Sequence, residues 1–296
     1  ANPQADLLEL GPGGGKLALD VLQALANQGA PPRHYYLLEV SADLRQRQQD
    51  YLAKHLPPPL YARCRWLDTL PQHFDGVVLA NEVLDALAVH VFRIEETAPR
   101  ELWLHLETNQ SWRSRFEPPS SVELRARIDA LRQRYDLPVG YQSEINLRQE
   151  ALLRALALIL RQGLLIFIDY GFSGATFYHP ERDQGTLQCH YRHYHHDDPF
   201  WWPGLQDISS HVDFTALATC GLMAGLELAL YCHQADFLLS HGILTNTTLT
   251  DACDTRLIQQ SQALQKLLMP HEMGELFKVI AFHKNCDNVF ARLATD

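Results

Sequence analysis

The chain has 296 residues, of which 46% are hydrophobic and 20% charged, and a formal net charge of −10 from 35 acidic against 25 basic side chains. That composition belongs to a globular protein long enough for one large α/β domain with an insertion. The acidic balance argues against broad nucleic-acid binding and suits a cationic substrate. Six cysteines without a CxxC spacing give no disulfide framework and suit a reducing compartment.

In chain order, Leu7–Leu10 reads as a short apolar strand. Four glycines follow within residues 11–15, and then a helix carries Leu17, Val21, Leu22 and Leu25 on one face until Gly29 ends it. "HYYLLEV" (34–40) is a second strand. Ser41 is placed to cap a helix running to about His55, and prolines 57–59 break the chain. "YARCRWLD" (61–68) is a third strand, and "FDGVVLANEVLDAL" (74–87) is a fourth that runs into an acidic turn. Strands alternating with helices predict a parallel, doubly wound sheet with its ligand at the carboxyl ends of the strands.

Residues 89–107 predict a β-hairpin around Pro99, and residues 111–142 a helix near 121–135. The α/β pattern resumes with a helix over 147–162 and the strand 164–171. The greasy run 151–171 carries Arg154 and Arg161 and is interrupted by Gly163, so it reads as helix, stop and buried strand instead of a membrane span. Residues 173–213 are a long aromatic loop without period, of the kind that carries function. A helix near 213–221, a strand 226–233, a helical stretch 234–269 and a strand 277–284 close the chain. The expected domains are therefore 1–88, an inserted substrate cover over 89–146, and 147–296.

The glycine loop could hold three kinds of ligand. A Walker loop fails because Leu17 follows Gly15-Lys16 where a magnesium-binding hydroxyl is required. A dinucleotide loop fails because the third glycine of GxGxxG falls on Lys16, and Glu9 would repel a pyrophosphate. S-adenosylmethionine carries an ammonium and a carboxylate at its amino-acid end and no phosphate. Glu9 then helps, Glu39 is placed for the ribose hydroxyls, and Asp68 for the adenine amino group, beside Gly11, Gly13 and Gly15.

The cluster "CHYRHYHHDD" (189–198) offers Cys189, His190, His193, His195, His196 and Asp197, but its spacing matches no zinc pattern and no metal is expected. Asn81 is placed to line the methionine end of the cofactor. Glu82 and Asp85 in "NEVLD" are the first choice to orient a guanidinium, with Asp169 and Glu144 behind them. Tyr170, His193 and His211 are expected to touch substrate.

The stretches "ELGPGGGKLALDVL", "YYLLEVSADLRQRQ", "LANEVLDALAVHVF", "SEIN", "IFIDYGF", "RDQGTLQCHYRH", "PGLQDISSHVDF" and "MGELFKVIAF" resemble, in order, the MidA-like S-adenosylmethionine-dependent methyltransferases. The resemblance spans residues 8 to about 283. It implies a class I methyltransferase fold: a Rossmann-like α/β sheet, mostly parallel with an antiparallel strand near the C-terminus, plus inserted α/β elements. It implies S-adenosylhomocysteine as product, and an arginine of a partner protein as acceptor, the family including a mitochondrial complex I assembly factor that methylates such an arginine. A respiratory complex subunit is thus an expected partner, without nucleic acid or a membrane span. The expected location is the cytoplasm in a bacterium or the mitochondrial matrix in a eukaryote. A non-catalytic assembly factor and a small-molecule methyltransferase are the alternatives. The chain departs from the family at Gly14, where a polar or basic residue is usual, and at Val83, Leu84 and Ala88 in "NEFFDALPVH". Family members also carry a segment ahead of the glycine strand, where this sequence starts almost at the strand.

Overall fold

The computed structural model describes residues 5–108, 111–192, 194–244 and 255–290. Its strands are β1 Asp6–Leu10, β2 Tyr35–Leu38, β3 Cys64–Leu67, β4 Phe74–Asn81, β5 His90–Arg93, β6 Arg100–Leu106, β7 Trp112–Glu117, β8 Gln142–Ile145, β9 Leu160–Phe172, β10 Gln188–Tyr191, β11 Tyr194–His196, β12 Asp207–Ser209, β13 Val212–Asp213, β14 Glu227–His233 and β15 Phe277–Lys284. Its helices are α1 Lys16–Asn27, α2 Ala42–His55, α3 Pro58–Tyr61, α4 Val122–Tyr135, α5 Leu147–Ile159, α6 Gly174–Phe177, α7 Phe214–Met223, α8 Gln234–Ser240 and α9 Thr255–Leu268. The chain divides into two compact units, the first made of Ala1–Val83, Leu153–Tyr170 and Ala218–Asp296, the second of Leu84–Leu152 and Gly171–Leu217. The boundaries expected at 88 and 146 thus differ from those of the compact units, and residues 173–213 fall in the second.

The first unit is built on a sheet of order β14-β15-β9-β4-β1-β2-β3. Pairings from β3 through β9 are parallel, and β15 runs antiparallel to both neighbours. β1 is central and buried at every position, as its unbroken apolar run requires of a strand covered on both faces. One side packs Leu7, Tyr35 and Leu37 against Leu19 and Leu22 of α1 and Leu52 of α2. Ser41 caps α2 as expected, its side chain accepting from Leu44 N–H at 3.3 Å. Asp6 fastens β1 to the start of β2 by accepting from Arg33 and from the backbone N–H of His34.

Gly163 does not stop a helix. α5 ends at Ile159, and Gly163 lies inside β9 opposite Gly76 of β4, which lies opposite Asp6 of β1. At φ +149° and +140° Gly76 and Gly163 hold a conformation closed to L side chains, and a Cβ on either would strike the backbone of the adjacent strand. The helical stretch expected over 234–269 is two helices, α8 and α9; residues 245–254 between them lie outside the described residues.

In the second unit an antiparallel sheet of order β7-β6-β5-β8 contains the expected hairpin, β5 with β6. Phe92 and Ile94 pack with Leu124, Ile128 and Leu131 of α4 and with Tyr141. Tyr178 stacks on Tyr135 with ring centroids 5.2 Å apart. Residues 173–213 are not one loop. They contain the three-stranded sheet β11-β10-β12, while β13 pairs with Gly171 and Phe172 at the end of β9.

Candidate active site

In the first unit, parallel registry brings the carboxyl ends of β1, β2, β3, β4 and β9 to one edge. Leu10 lies opposite Leu38 and Ala80, Leu38 opposite Leu67, and Asn81 opposite Ile168. That edge carries Glu9, the glycine loop, Glu39, Asp68, Asn81, Glu82 and Asp169. The loop folds back on itself: Gly11 N–H donates to Leu38 O at 3.1 Å, and Gly15 N–H to Pro12 O at 2.8 Å. Gly15, at φ +78°, then opens α1 with no side-chain cap, so the first-turn N–H groups of α1 remain available to an acceptor.

Glu9 is buried in β1 and accepts from Tyr35 Oη at 2.6 Å. Burial pushes its carboxyl up to about 7, against the opposing pull of the Tyr35 hydroxyl. Glu39 is also buried, with Oε1 accepting from Ser41 N–H at 2.9 Å. Its Oε2 accepts at 3.0 Å from Gln48 Nε2, which also donates to Gly13 O at 2.8 Å. Gln48 Oε1 accepts from Trp66 Nε1 at 3.0 Å. Gln48 thereby ties the second-strand acid to the glycine loop, a role missed in the sequence reading. The signal was present: Leu44, Gln48 and Leu52 share the inward stripe of α2, and a glutamine there must find partners.

Asp68 is largely exposed and pairs with Arg45 at 2.7 Å. Arg45 also donates to Glu39 O and Leu67 O, bridging the ends of β2 and β3. Asn81 Nδ2 donates to Glu82 Oε1 at 3.1 Å. Glu82 is exposed, holds φ +52°, and donates its N–H to Ile168 O at 2.9 Å. A left-handed glutamate costs energy. Asp169 is buried and accepts from Tyr170 N–H at 3.0 Å. Tyr170 packs edge-on to Phe277 at 5.5 Å.

The remaining expected residues belong to the second unit. Asp85 is buried and its carbonyl accepts from Ser210 N–H at 3.1 Å. Glu144 is buried in β8, where it accepts from Thr186 N–H at 2.7 Å and from the Thr186 hydroxyl. Burial pushes Glu144 up to about 7, partly offset by the Thr186 hydrogen bonds. His211 packs edge-on to Phe172 at 4.9 Å, and its N–H donates to Thr186 Oγ1. Glu144, Asn146, Gln149, Ser210 and His211 line a cavity of about 20 Å³, room for about one water molecule. His193 lies outside the described residues. Among the described residues no group of three or more histidines, cysteines or acids gathers around a common metal position. The five described cysteines form no disulfide with one another, and no described helix is long and apolar enough to cross a membrane.

The carboxyl edge of the first unit fits S-adenosylmethionine. Gly13 and Gly14 leave open space, with no atom within 4 Å of where a Cβ would stand. The acids around them suit hydroxyl and ammonium donors, not phosphates. Fold and edge together define a class I S-adenosylmethionine-dependent methyltransferase. A family model described as "Putative S-adenosyl-L-methionine-dependent methyltransferase" matches residues 1–232, and the chain belongs to that family. A protein of Burkholderia thailandensis, solved bound to S-adenosylhomocysteine, is 40% identical with a TM-score of 0.90, covering 98% of this chain and 74% of that one. The mitochondrial protein arginine methyltransferase NDUFAF7 is 27% identical in Bos taurus over 95% of this chain, and 27% identical in Homo sapiens over 93%. The chain spans 66% and 65% of those two relatives' lengths. The cofactor and fold expected from the sequence agree with the family.

Proposed function

We propose that the chain transfers a methyl group from S-adenosylmethionine to an arginine side chain of a partner protein. The observation that carries this reading is Glu82: an exposed carboxylate, held in a left-handed backbone and steadied by Asn81, at the end of β4. The name carried by the mitochondrial relatives supports arginine as the acceptor.

Bound cofactor would supply an electrophilic methyl on a sulfonium. Glu39 would accept from the ribose hydroxyls with Gln48 fixing its direction. Asp68 is assigned to the adenine amino group, and Glu9 with Gly11, Gly13 and Gly15 to the amino-acid end. Glu82 then pairs with the guanidinium, which is always charged and a weak nucleophile. A carboxylate fork would limit its rotation and draw charge toward the bound N–H groups, favouring the remaining nitrogen as nucleophile. As the N–CH3 bond formed, the sulfonium S–CH3 bond would break to leave S-adenosylhomocysteine, and the displaced proton would pass to solvent. Asp85, Asp169, Glu144, Tyr170, His193 and His211 are the further residues assigned to substrate. A respiratory complex subunit is the first acceptor to test.

Calorimetric titration with S-adenosylmethionine and S-adenosylhomocysteine tests the cofactor half, with binding expected in the native chain and lost in Glu39→Ala. Mass spectrometry of arginine peptides incubated with cofactor tests the other half. Methyl transfer to lysine or to a free small molecule, with arginine untouched, would overturn the acceptor.

A further inference from the structure

The small sheet of the second unit has β10 in the middle, antiparallel to β11 on one side and to β12 on the other. His190 of β10 stands directly opposite His195 of β11 and directly opposite Asp207 of β12. Directly opposed residues of antiparallel strands share a face, with Cβ atoms about 4.5–5.5 Å apart. His195, His190 and Asp207 therefore form one row across the sheet. All three are exposed, whereas Cys189, the preceding residue of β10 and so on the other face, is buried. The row lies on the open face.

The imidazoles of His190 and His195 have ring centroids 5.2 Å apart, with planes at 61°. Two imidazoles bound through nitrogen to one tetrahedral zinc, at Zn–N of about 2.0–2.1 Å, have centroids about 5 Å apart. The pair already stands at the separation of two ligands of a single ion. In sequence their spacing matches no zinc pattern; the hairpin register joins them. Asp207 lies on the far side of His190 from His195. A metal-bound histidine commonly donates its other ring N–H to a carboxylate, which fixes the tautomer and makes the ligating nitrogen more basic. The arrangement is thus two ligands with a carboxylate behind one of them, consistent with the lack of any described group of three ligands about one point. Imidazole nitrogens select zinc, copper and nickel over magnesium and calcium, which take oxygen.

We propose that His190 and His195 ligate one divalent transition-metal ion through a nitrogen each, with Asp207 accepting the other ring N–H of His190. Water completes the coordination. The untagged chain is titrated calorimetrically with zinc chloride at pH 7.5, beside His190→Ala, His195→Ala, Asp207→Asn and, as a control on another exposed histidine, His73→Ala. The substituted side chains are exposed, and urea unfolding checks that each variant is folded. One zinc site is expected in the native chain and in His73→Ala. It should be lost in both His190→Ala and His195→Ala, and weakened about tenfold in Asp207→Asn. Copper(II) at one equivalent should show hyperfine coupling to two imidazole nitrogens in its electron paramagnetic resonance spectrum, and to one in either histidine variant. No zinc binding by the native chain, a site that survives either His190→Ala or His195→Ala, or calcium bound as tightly as zinc overturns the assignment. Unaltered affinity in Asp207→Asn overturns the role of Asp207.

Discussion

Gln48 Nε2 lies 3.0 Å from Glu39 Oε2, and the same nitrogen lies 2.8 Å from Gly13 O. One amide thus sets both the direction of the second-strand acid and the path of the glycine loop. Replacing Gln48 by leucine leaves Glu39 Oε2, Gly13 O and Trp66 Nε1 short of a partner. Glu39 is the buried member of the three, and a buried polar group so stranded costs about 1–3 kcal/mol, while Gly13 and Trp66 are not buried and can turn to water, so the variant should lose about 2–3 kcal/mol in urea unfolding. Affinity for S-adenosylhomocysteine should fall about tenfold, with a shift in Trp66 fluorescence. Destabilisation with unaltered cofactor affinity would mean that Glu39 keeps its aim without Gln48.

Glu9 makes the stability of the cofactor-free chain depend on pH. Its carboxyl is pushed from 4.5 up to about 7, first by burial, with Tyr35 opposing. Between those values the native state holds a proton that the unfolded chain has released, so stability declines as pH rises. The decline begins above about 4.5 and levels off above about 7, and amounts to at most about 3 kcal/mol. Glu144, also raised to about 7, adds a decline of the same sign. Glu9→Gln keeps an acceptor for Tyr35 and should unfold like the native chain at pH 4 but at higher urea at pH 8. Parallel curves across the range would refute the assignment.

Asp6 acts in the opposite direction. Burial raises its carboxyl, but the Arg33 guanidinium and the His34 hydrogen bonds outweigh it and hold the carboxyl below 3.8. Its contribution is therefore complete above the unfolded value of 3.8 and disappears as pH falls through the lower native value. Asp6→Asn should cost about 1–2 kcal/mol at neutral pH and little in strong acid. A loss that stays constant down to the lowest accessible pH would assign the effect to packing.

The first half of the sheet was legible because each element carries its own punctuation. Examples are the glycines before α1, Ser41 at the head of α2 and the prolines after it. The strand β7 was missed because "WRSRFE" is mostly exposed, and its arginines hide the alternation a half-buried strand displays. β8 was missed because four residues carry no period; its place is fixed by pairing with β5 across about fifty residues of chain. The small sheet β10-β12 escaped for the same reason. The place of Glu39 and the glycines at strand ends could be read from the sequence alone. The pairing of Asp68 with Arg45 and the hold of Gln48 on Glu39 are tertiary contacts that no local pattern announces.

On the proposed reaction, Glu82 would set stability against function. Its left-handed backbone, φ +52°, costs a non-glycine residue about 1–2 kcal/mol, part of which glycine recovers before its own entropic cost. Glu82→Gly should therefore raise the unfolding free energy by about 0.5–1 kcal/mol while removing the carboxylate. Glu82→Gln keeps the strain, and because the side chain is exposed its stability should match the native chain within about 0.5 kcal/mol. On an arginine peptide both variants should lose about a hundredfold or more in kcat, with S-adenosylhomocysteine affinity within about threefold of native. The two substitutions then separate what the sequence alone confounds. A glycine variant that is stabilised and inactive, beside a glutamine variant that is unstabilised and equally inactive, assigns the strain to presenting a carboxylate. If the glycine variant is no more stable, the left-handed turn is relieved by its bond to Ile168. If the glutamine variant turns over normally, the charge at the end of β4 is not what orients the acceptor.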